Sequence, residues 1–365
     1  MRFAASAPHK NRISRKKCKR HAVSLLPDIN STLYYDPEEK IMNMKKLLSL
    51  MLVCVLVCAS VLALASCGKK DDTYTVGISQ LVTHPALDAA TQGFKDALVE
   101  KLGDKVKFDE QNAANEANTC VTIANSFVSK NVDLILANAT PALQAAAGAT
   151  TTIPILGTSI TEYGVALGID NFSGTVGGNI SGTSDLAPLS EQAQMILDLF
   201  PDAKNVGLLY CSAEANSVYQ VSVVKEILES KGITCTEYKF SDSNDVAQVS
   251  DKAAEDNDVL YIPTDNTAAS CAQTINNVVL PKKVPIIAGE EGICSGCGVA
   301  TLSISYYDLG VKTGEMAAKI LTGEAKISEM PIEYVETPVK KYNKAICDEL
   351  GITVPDDYVA IETAE

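Results

Sequence analysis

The sequence predicts an α/β protein made of two doubly wound parallel-sheet lobes joined by a hinge. Short apolar runs alternate with stretches of helical periodicity along most of the chain, the pattern of βαβ units feeding a parallel sheet. The alternation breaks at one glycine-rich segment, SGTVGGNISGTSD (173–185), and resumes in a second half of similar size. The 365 residues are 46% apolar, which is enough for two cores and excludes global disorder.

In the first half, YTVGIS (74–79) reads as a strand. A helix over 85–102 follows, with Ala86, Leu87, Ala90, Phe94, Ala97 and Leu98 near 3.6-residue spacing. A short strand is expected at 106–109, a helix at 116–130, and the fully buried strand type VDLILA at 132–137. A helix at 141–149 and the strand IPILG (153–157) complete that half. The segment 173–185, with four glycines and one charge, suits a crossover. In the second half, helices are expected at 189–200, 215–231 (ended by Gly232), 243–255, 267–280 and 307–321. Strands are expected at 205–210, 234–240, 259–263, 284–288 and 299–305. A short strand at 332–337 and a helix at 339–350 close the chain. One lobe is expected over 73–180 with about 306–328, the other over 181–305 with about 338–365.

The front of the chain reads as an address. Residues 47–64 (LLSLMLVCVLVCASVLAL) form an uncharged apolar run behind Lys45 and Lys46, as in a secretory signal. Leu64-Ala65-Ser66-Cys67 resembles a bacterial lipobox, in which cleavage precedes a cysteine acylated on its thiol. The expectation is a signal peptide over 42–66, lipidation at Cys67, a linker over 67–72, and attachment to the outer face of the cell membrane. An uncleaved transmembrane anchor is the plainer alternative. Residues 1–41 are basic and aperiodic. They read as an upstream extension before a start at Met42 or Met44, the other reading being a basic nucleic-acid arm.

Charge and composition narrow the function. Residues 1–66 hold 11 Lys+Arg and 4 Asp+Glu, so the other 299 hold 31−11 = 20 and 45−4 = 41, a net charge of −21. So acidic a body repels phosphate backbones, and no nucleic-acid partner is expected. Histidine occurs three times, at His9, His21 and His84, and tryptophan not at all. There is no Ser/His/acid set, G-x-S-x-G, P-loop or dinucleotide fingerprint, so neither an enzyme, a cofactor nor a metal is expected. Seven cysteines follow Cys67, an odd number without a dense disulfide pattern. Cys294-Ser-Gly-Cys297 reads as a local disulfide or idle thiols, with redox or metal use as the alternative.

In doubly wound lobes, ligands sit beyond the C-terminal ends of the strands. Polar residues collect there: Gln80, Thr83 and His84; Thr140; Thr158 and Ser159; Asn216 and Ser217; Asp265 and Asn266; Glu290. Each group also suits plain helix N-capping. A zwitterionic ligand needs hydroxyl and N–H donors for its carboxylate, which Thr83, Thr140, Thr158 and Ser159 supply. It needs a carboxylate for its ammonium, which Asp265 supplies, with Glu290 or Glu291 as further candidates.

The segments VGISQLVTHPALDAA (76–90) with Gly93-Phe94, QNA (111–113), ATP (139–141), GNISGTSD (178–185), EANS (214–217), PTDN (263–266) and YYDLG (306–310) occur in order across nearly all of 73–325. In this the chain resembles the ABC-transporter substrate-binding lipoproteins of the tryptophan/tyrosine-binding type, of type I periplasmic-binding-protein fold. The resemblance implies a lobe-closing monomer that hands a small amino acid-like ligand, an aromatic or branched amino acid being favoured, to a permease and its ATPase. It places the ligand between the first-strand loop, Thr140, Asn216 and Asp265. The family often carries an Asp-Pro pair where this chain has Thr161-Glu162-Tyr163; Tyr163 would stack on an aromatic ligand or cover the hinge. An exported enzyme, a sugar-sensing regulator core and a surface adhesin are the competing classes.

Overall fold

The computed structural model describes residues 73–335 and 338–362, together with Met44 and Met51. The chain divides into the units Met1–Lys69 and Lys70–Glu365. In the first, Met44 and Met51 are helical and exposed. The 1–41 extension, nearly all of the predicted signal segment, and Cys67 lie outside the described residues.

In the second unit the chain runs β1 (Tyr74–Gln80), α1 (Pro85–Leu102), β2 (Val106–Asn112), α2 (Ala117–Lys130), β3 (Leu134–Asn138), α3 (Thr140–Ala149), β4 (Ile155–Ile160), α4 (Tyr163–Leu167) and β5 (Ile180–Ser184). A second lobe follows as α5 (Leu189–Leu199), β6 (Asn205–Cys211), α6 (Ala215–Ser230), β7 (Thr234–Phe240), α7 (Val246–Asp256), β8 (Val259–Ile262), α8 (Asn266–Ser270), α9 (Ala272–Val279), β9 (Ile286–Ala288), α10 (Glu291–Cys297) and β10 (Ala300–Ser303). The chain returns to the first lobe with α11 (Tyr306–Leu321) and β11 (Glu333–Tyr334). It ends in the second with β12 (Val339–Tyr342), α12 (Lys344–Leu350) and β13 (Val359–Ala360).

The first sheet, ordered β11-β5-β4-β3-β1-β2, is parallel throughout. The second, β13-β12-β10-β9-β8-β6-β7, is parallel except where β12 runs against β10. Helices cover both faces, so the central strands are apolar on both sides: every residue of β3, β4 and β8 is buried. Alternate residues feed opposite cores, Ile135 packing with Phe127 and Leu143, and Leu134 and Leu136 with Phe94 and Met316. The edge strands β2 and β7 alternate instead and carry the charged ladders Lys130–Asp109 and Lys225–Glu237–Lys239. The described connections between the two lobes are at 185–188 and at 304–305; a third passes through residues 336–337, which lie outside the described residues. Among the described residues no helix is long and apolar enough to cross a membrane.

Several expectations need correction. The glycine-rich segment is not all crossover: Ile180–Ser184 is a strand of the first sheet, so the first lobe extends to Ser184 rather than ending at 180, and regains β11 as well as α11. Gly182 permits this at φ +144°; a Cβ there would stand 2.1 Å from the Gly157 carbonyl oxygen. Residues 339–342 form an antiparallel strand, not the start of a helix, because they complete the edge beside β10. The helix expected at 267–280 is broken at Cys271 into α8 and α9. Cys294 and Cys297 lie on α10 as buried free thiols. Burial pushes both thiols far up, so the thiolate that redox or metal chemistry requires is withheld.

Candidate functional site

The C-terminal ends of β4 and β5 face those of β6, β8 and β9 across a narrow, partly open cavity. Its lining is His84, Leu87, Ser159, Thr161 and Asp185 with Asn216, Thr264, Asp265, Asn266, Ala269, Glu290 and Tyr306. About 270 Å³ of space lies between atoms here, of which about 10 Å³ admits the centre of a water, roughly the room of one molecule. The lobes are shut on it. Asn115 Nδ2 donates to Thr267 Oγ1 at 2.9 Å, and His84 Nε2 meets Asn266 Oδ1 at 3.3 Å.

A chain of carboxylates organises the second-lobe wall. Glu214 accepts from the Asn266 and Thr267 amides (3.1 and 2.9 Å), from Asn266 Nδ2 (2.6 Å), from Thr267 Oγ1 (2.8 Å) and from Asn216 Nδ2 (3.2 Å). Asp265 caps α8 through the Ala268 amide and accepts the Cys211 amide, both at 2.7 Å. Glu290 caps α10 through the Gly292 and Ile293 amides. Asp185, in the first crossing, is set by its own amide on the Ile160 carbonyl, and its Oδ2 accepts from the Tyr306 hydroxyl at 2.9 Å.

The electrostatics are one-sided: no lysine or arginine lines the cavity. Burial pushes Glu290 up to about 7 against the pull of its two amides, with Glu291 and Asp185 adding to the rise. Burial and the adjacent Glu214 raise Asp265, and burial raises Asp185. His84 is pushed down by burial, against Asn266, Glu214 and Asp88, and is held neutral. Since Asn266 gives its Nδ2 to Glu214, its oxygen faces His84, which must donate from Nε2. His84 Nδ1 is then a bare acceptor. Among the described residues it has no partner, and neither have Asp185 Oδ1, Asn216 Oδ1 and Ser159 Oγ. Three of these four are acceptors only and the fourth accepts as readily as it donates. Each costs about 1–3 kcal/mol while unpaired. Ser159 adds backbone strain, sitting at φ +56°.

Of the sequence candidates, His84, Ser159, Asn216, Asp265, Asn266 and Glu290 line the cavity. Five do not. Gln80 is spent inside the first lobe on the Val82 carbonyl, Asp88 and Thr91. Thr83 accepts from Asn112 Nδ2 and lines a separate cleft. Thr140 is buried as the first residue of α3, and Thr158 accepts from Thr183 and Thr313. Ser217 lies behind Asn216, whose Nδ2 it accepts. Tyr163 is buried, stacks on Phe172 at 6.4 Å and donates to the Thr183 carbonyl, so it is core rather than lining. Thr264, in the polar group after β8, lines the cavity too, whereas Leu87, Thr161, Asp185, Ala269 and Tyr306 are lining residues that strand-end reasoning missed. Asp185 had a signal, as the one charge of the 13-residue segment 173–185, which it closes.

A two-lobed α/β fold closed over a small polar cavity defines a solute-binding protein rather than an enzyme. The family model described as ABC transporter substrate binding protein matches residues 75–364, and the chain belongs to that family, with its type I periplasmic-binding-protein fold. It is 37% identical to a tyrosine-binding protein of Clostridioides difficile over 305 residues, 79% of this chain and 87% of that one. The structure of an ABC domain from Streptococcus pneumonia in complex with L-Trp matches with a TM-score of 0.74 at 33% identity, covering 78% of this chain and 96% of that one. The ligand-free, open structure of a substrate-binding protein with adhesive properties from Clostridium difficile matches with a TM-score of 0.61 at 37% identity, covering 80% and 100%. The lower-identity but ligand-bound structure is the better geometric match, in keeping with lobes that are shut here.

Proposed function

We propose that this protein is a lipid-anchored, extracytoplasmic receptor that captures an aromatic amino acid between its lobes and delivers it to a membrane permease and its ATPase. The observation that carries this reading is the set of unpaired acceptors on one carboxylate-rich cavity: Asp185 Oδ1, Asn216 Oδ1 and His84 Nδ1. An ammonium group brings three N–H donors and a positive charge, which is what such a wall lacks. Ser159 is free to donate to the ligand's carboxylate. The tyrosine and tryptophan named for the relatives support an aromatic side chain. Tyrosine is far larger than one water, so entry requires the lobes to part about their crossings and close again. One chain holds both walls, so the receptor acts as a monomer. The apolar run 47–64 and Cys67 support the anchor. A second reading, a surface adhesin, is favoured by the adhesive properties of the Clostridium difficile relative.

The test is a thermal-shift screen of the twenty common amino acids, followed by calorimetry. L-tyrosine or L-tryptophan at a hundred times its Kd should stabilise the protein by about 2.7 kcal/mol. A screen in which no amino acid raises the Tm removes the reading.

A further inference from the structure

We propose that Asp185 is the residue that receives the ligand's ammonium group, and that Asp265 and Glu290 instead hold the helix ends forming the opposite wall. This rests on the amino-acid reading of the cavity and deepens it. Four carboxylates stand in or beside the cavity, and their bonding separates them. Glu214 accepts five protein donors. Both oxygens of Asp265 hold backbone amides, as do both of Glu290. Among the described residues Asp185 alone of the four has an oxygen, Oδ1, with no hydrogen-bond partner, although the residue is only 4% exposed; the Thr161 hydroxyl nearby helps to hold its carboxyl down against the rise that burial causes. Its other oxygen is fixed by the Tyr306 hydroxyl, which sets the orientation of the carboxyl plane.

The chemistry follows from that inventory. A buried carboxylate oxygen with nothing to accept is costly, and a charge-assisted bond from an ammonium is the strongest available remedy. Burial resists charging Asp185 as it does Asp265 and Glu290, but of the three only Asp185 leaves an oxygen open to a cationic donor. Position adds a second argument. Asp185 lies in the first crossing, just after β5, and Tyr306 opens α11 directly after the second crossing. Residues at a pivot move least when lobes part, so the Asp185–Tyr306 pair stays assembled while Asn216, Asp265 and Glu290 swing away from His84 and Ser159. The ammonium subsite is therefore the part of the cavity present before closure.

The experiment is calorimetry on the full chain with two probes, L-tyrosine and its des-amino analogue 3-(4-hydroxyphenyl)propanoate. The variants are Asp185→Asn, Asp265→Asn and Tyr306→Phe. Asp185→Asn should weaken L-tyrosine about 100-fold and the des-amino probe less than about threefold, since only L-tyrosine has the lost partner. Tyr306→Phe, which only loosens the carboxyl, should cost L-tyrosine about tenfold with the same discrimination; it decides the question if Asp185→Asn fails to fold. Asp265→Asn should lower the Tm while weakening both probes alike. The assignment is overturned if Asp185→Asn binds L-tyrosine like the parent, if it weakens both probes equally, or if the selective loss appears in Asp265→Asn. Failure of the parent protein to bind any amino acid instead removes the amino-acid reading itself, and this assignment with it.

Discussion

At the scale of single residues, the cavity trades stability for unpaired polar atoms. Ser159 shows the trade most plainly. It sits at φ +56°, where a side chain costs roughly 1–2 kcal/mol, and its buried hydroxyl has no partner in the protein. Ser159→Gly removes both costs, against roughly 0.5–1 kcal/mol for the greater freedom of glycine in the unfolded chain. The expected outcome is a Tm higher by a few degrees in the absence of ligand, together with weaker binding of L-tyrosine in calorimetry. A variant that loses stability would show that the strain is not there. The site was partly legible at this scale because strand-end polar residues are chemically conspicuous. What composition could not reveal was which of them are already spent. Gln80, Thr158 and Ser217 have the same chemistry as Asn216 and Ser159, but three-dimensional neighbours occupy them: Thr91, Thr313 and Asn216 respectively. Asp185 was hidden by the opposite effect, since a segment read as crossover carried it to the cavity.

At the scale of elements, the first lobe depends on a close crossing of α1 and α11. A Cβ on Gly310 would stand 2.0 Å from the Ala90 carbonyl oxygen, and one on Gly93 2.1 Å from that of Tyr307. Backbone cannot yield as a side-chain tip can, so Gly310→Ala forces the helices apart. The expected cost is about 3 kcal/mol or more, read in urea melts, with α11 pulled from its place beside the second crossing. Gly148→Ala in α3 is the control: nothing lies within 4 Å of its Cβ position, and helix propensity predicts a gain of up to about 1 kcal/mol. Equal effects of the two substitutions would refute the steric account. Most elements were readable because central strands such as β3 and β8 are continuous apolar runs and the helices keep their period. The misreadings share a cause. β5 (ISGTS) is small and polar and β12 is charged (VKKY), so neither advertises a strand; pairing with β4 and β10 makes them strands.

At the scale of the whole molecule, the closed lobes hold several carboxyl groups together in a buried space, and this links closure to protons. Glu290 keeps its proton up to about pH 7 in the closed form, whereas an unfolded glutamate releases it near its ordinary 4.5. Between those values the folded protein binds more protons, so stability falls as pH rises. The contribution is complete below the unfolded value and is lost as pH passes through the folded one. A displacement of that size is worth about 3 kcal/mol. Asp265 and Asp185 shift in the same direction and add to it. Two shifts oppose this: His84, pushed down by burial below the 6.5 of an unfolded histidine, trims the slope at the acid end of that range, and Glu237, held down to about 2 by Lys225, Lys239 and Tyr210, is half-buried and partly screened. Glu237 also acts only at lower pH, where its own proton returns. The ligand-free protein should therefore melt at a higher temperature at pH 5 than at pH 8, and small-angle scattering should find it more compact at the lower pH. Glu290→Gln, which cannot titrate, should flatten much of that slope. Saturating L-tyrosine should flatten it too, because an ammonium replaces the protons that closure otherwise requires. A Tm that climbs steadily from pH 5 to pH 8 would mean that the carboxylates are ionised in the closed protein, and that their charge is balanced by something other than a proton or an amine.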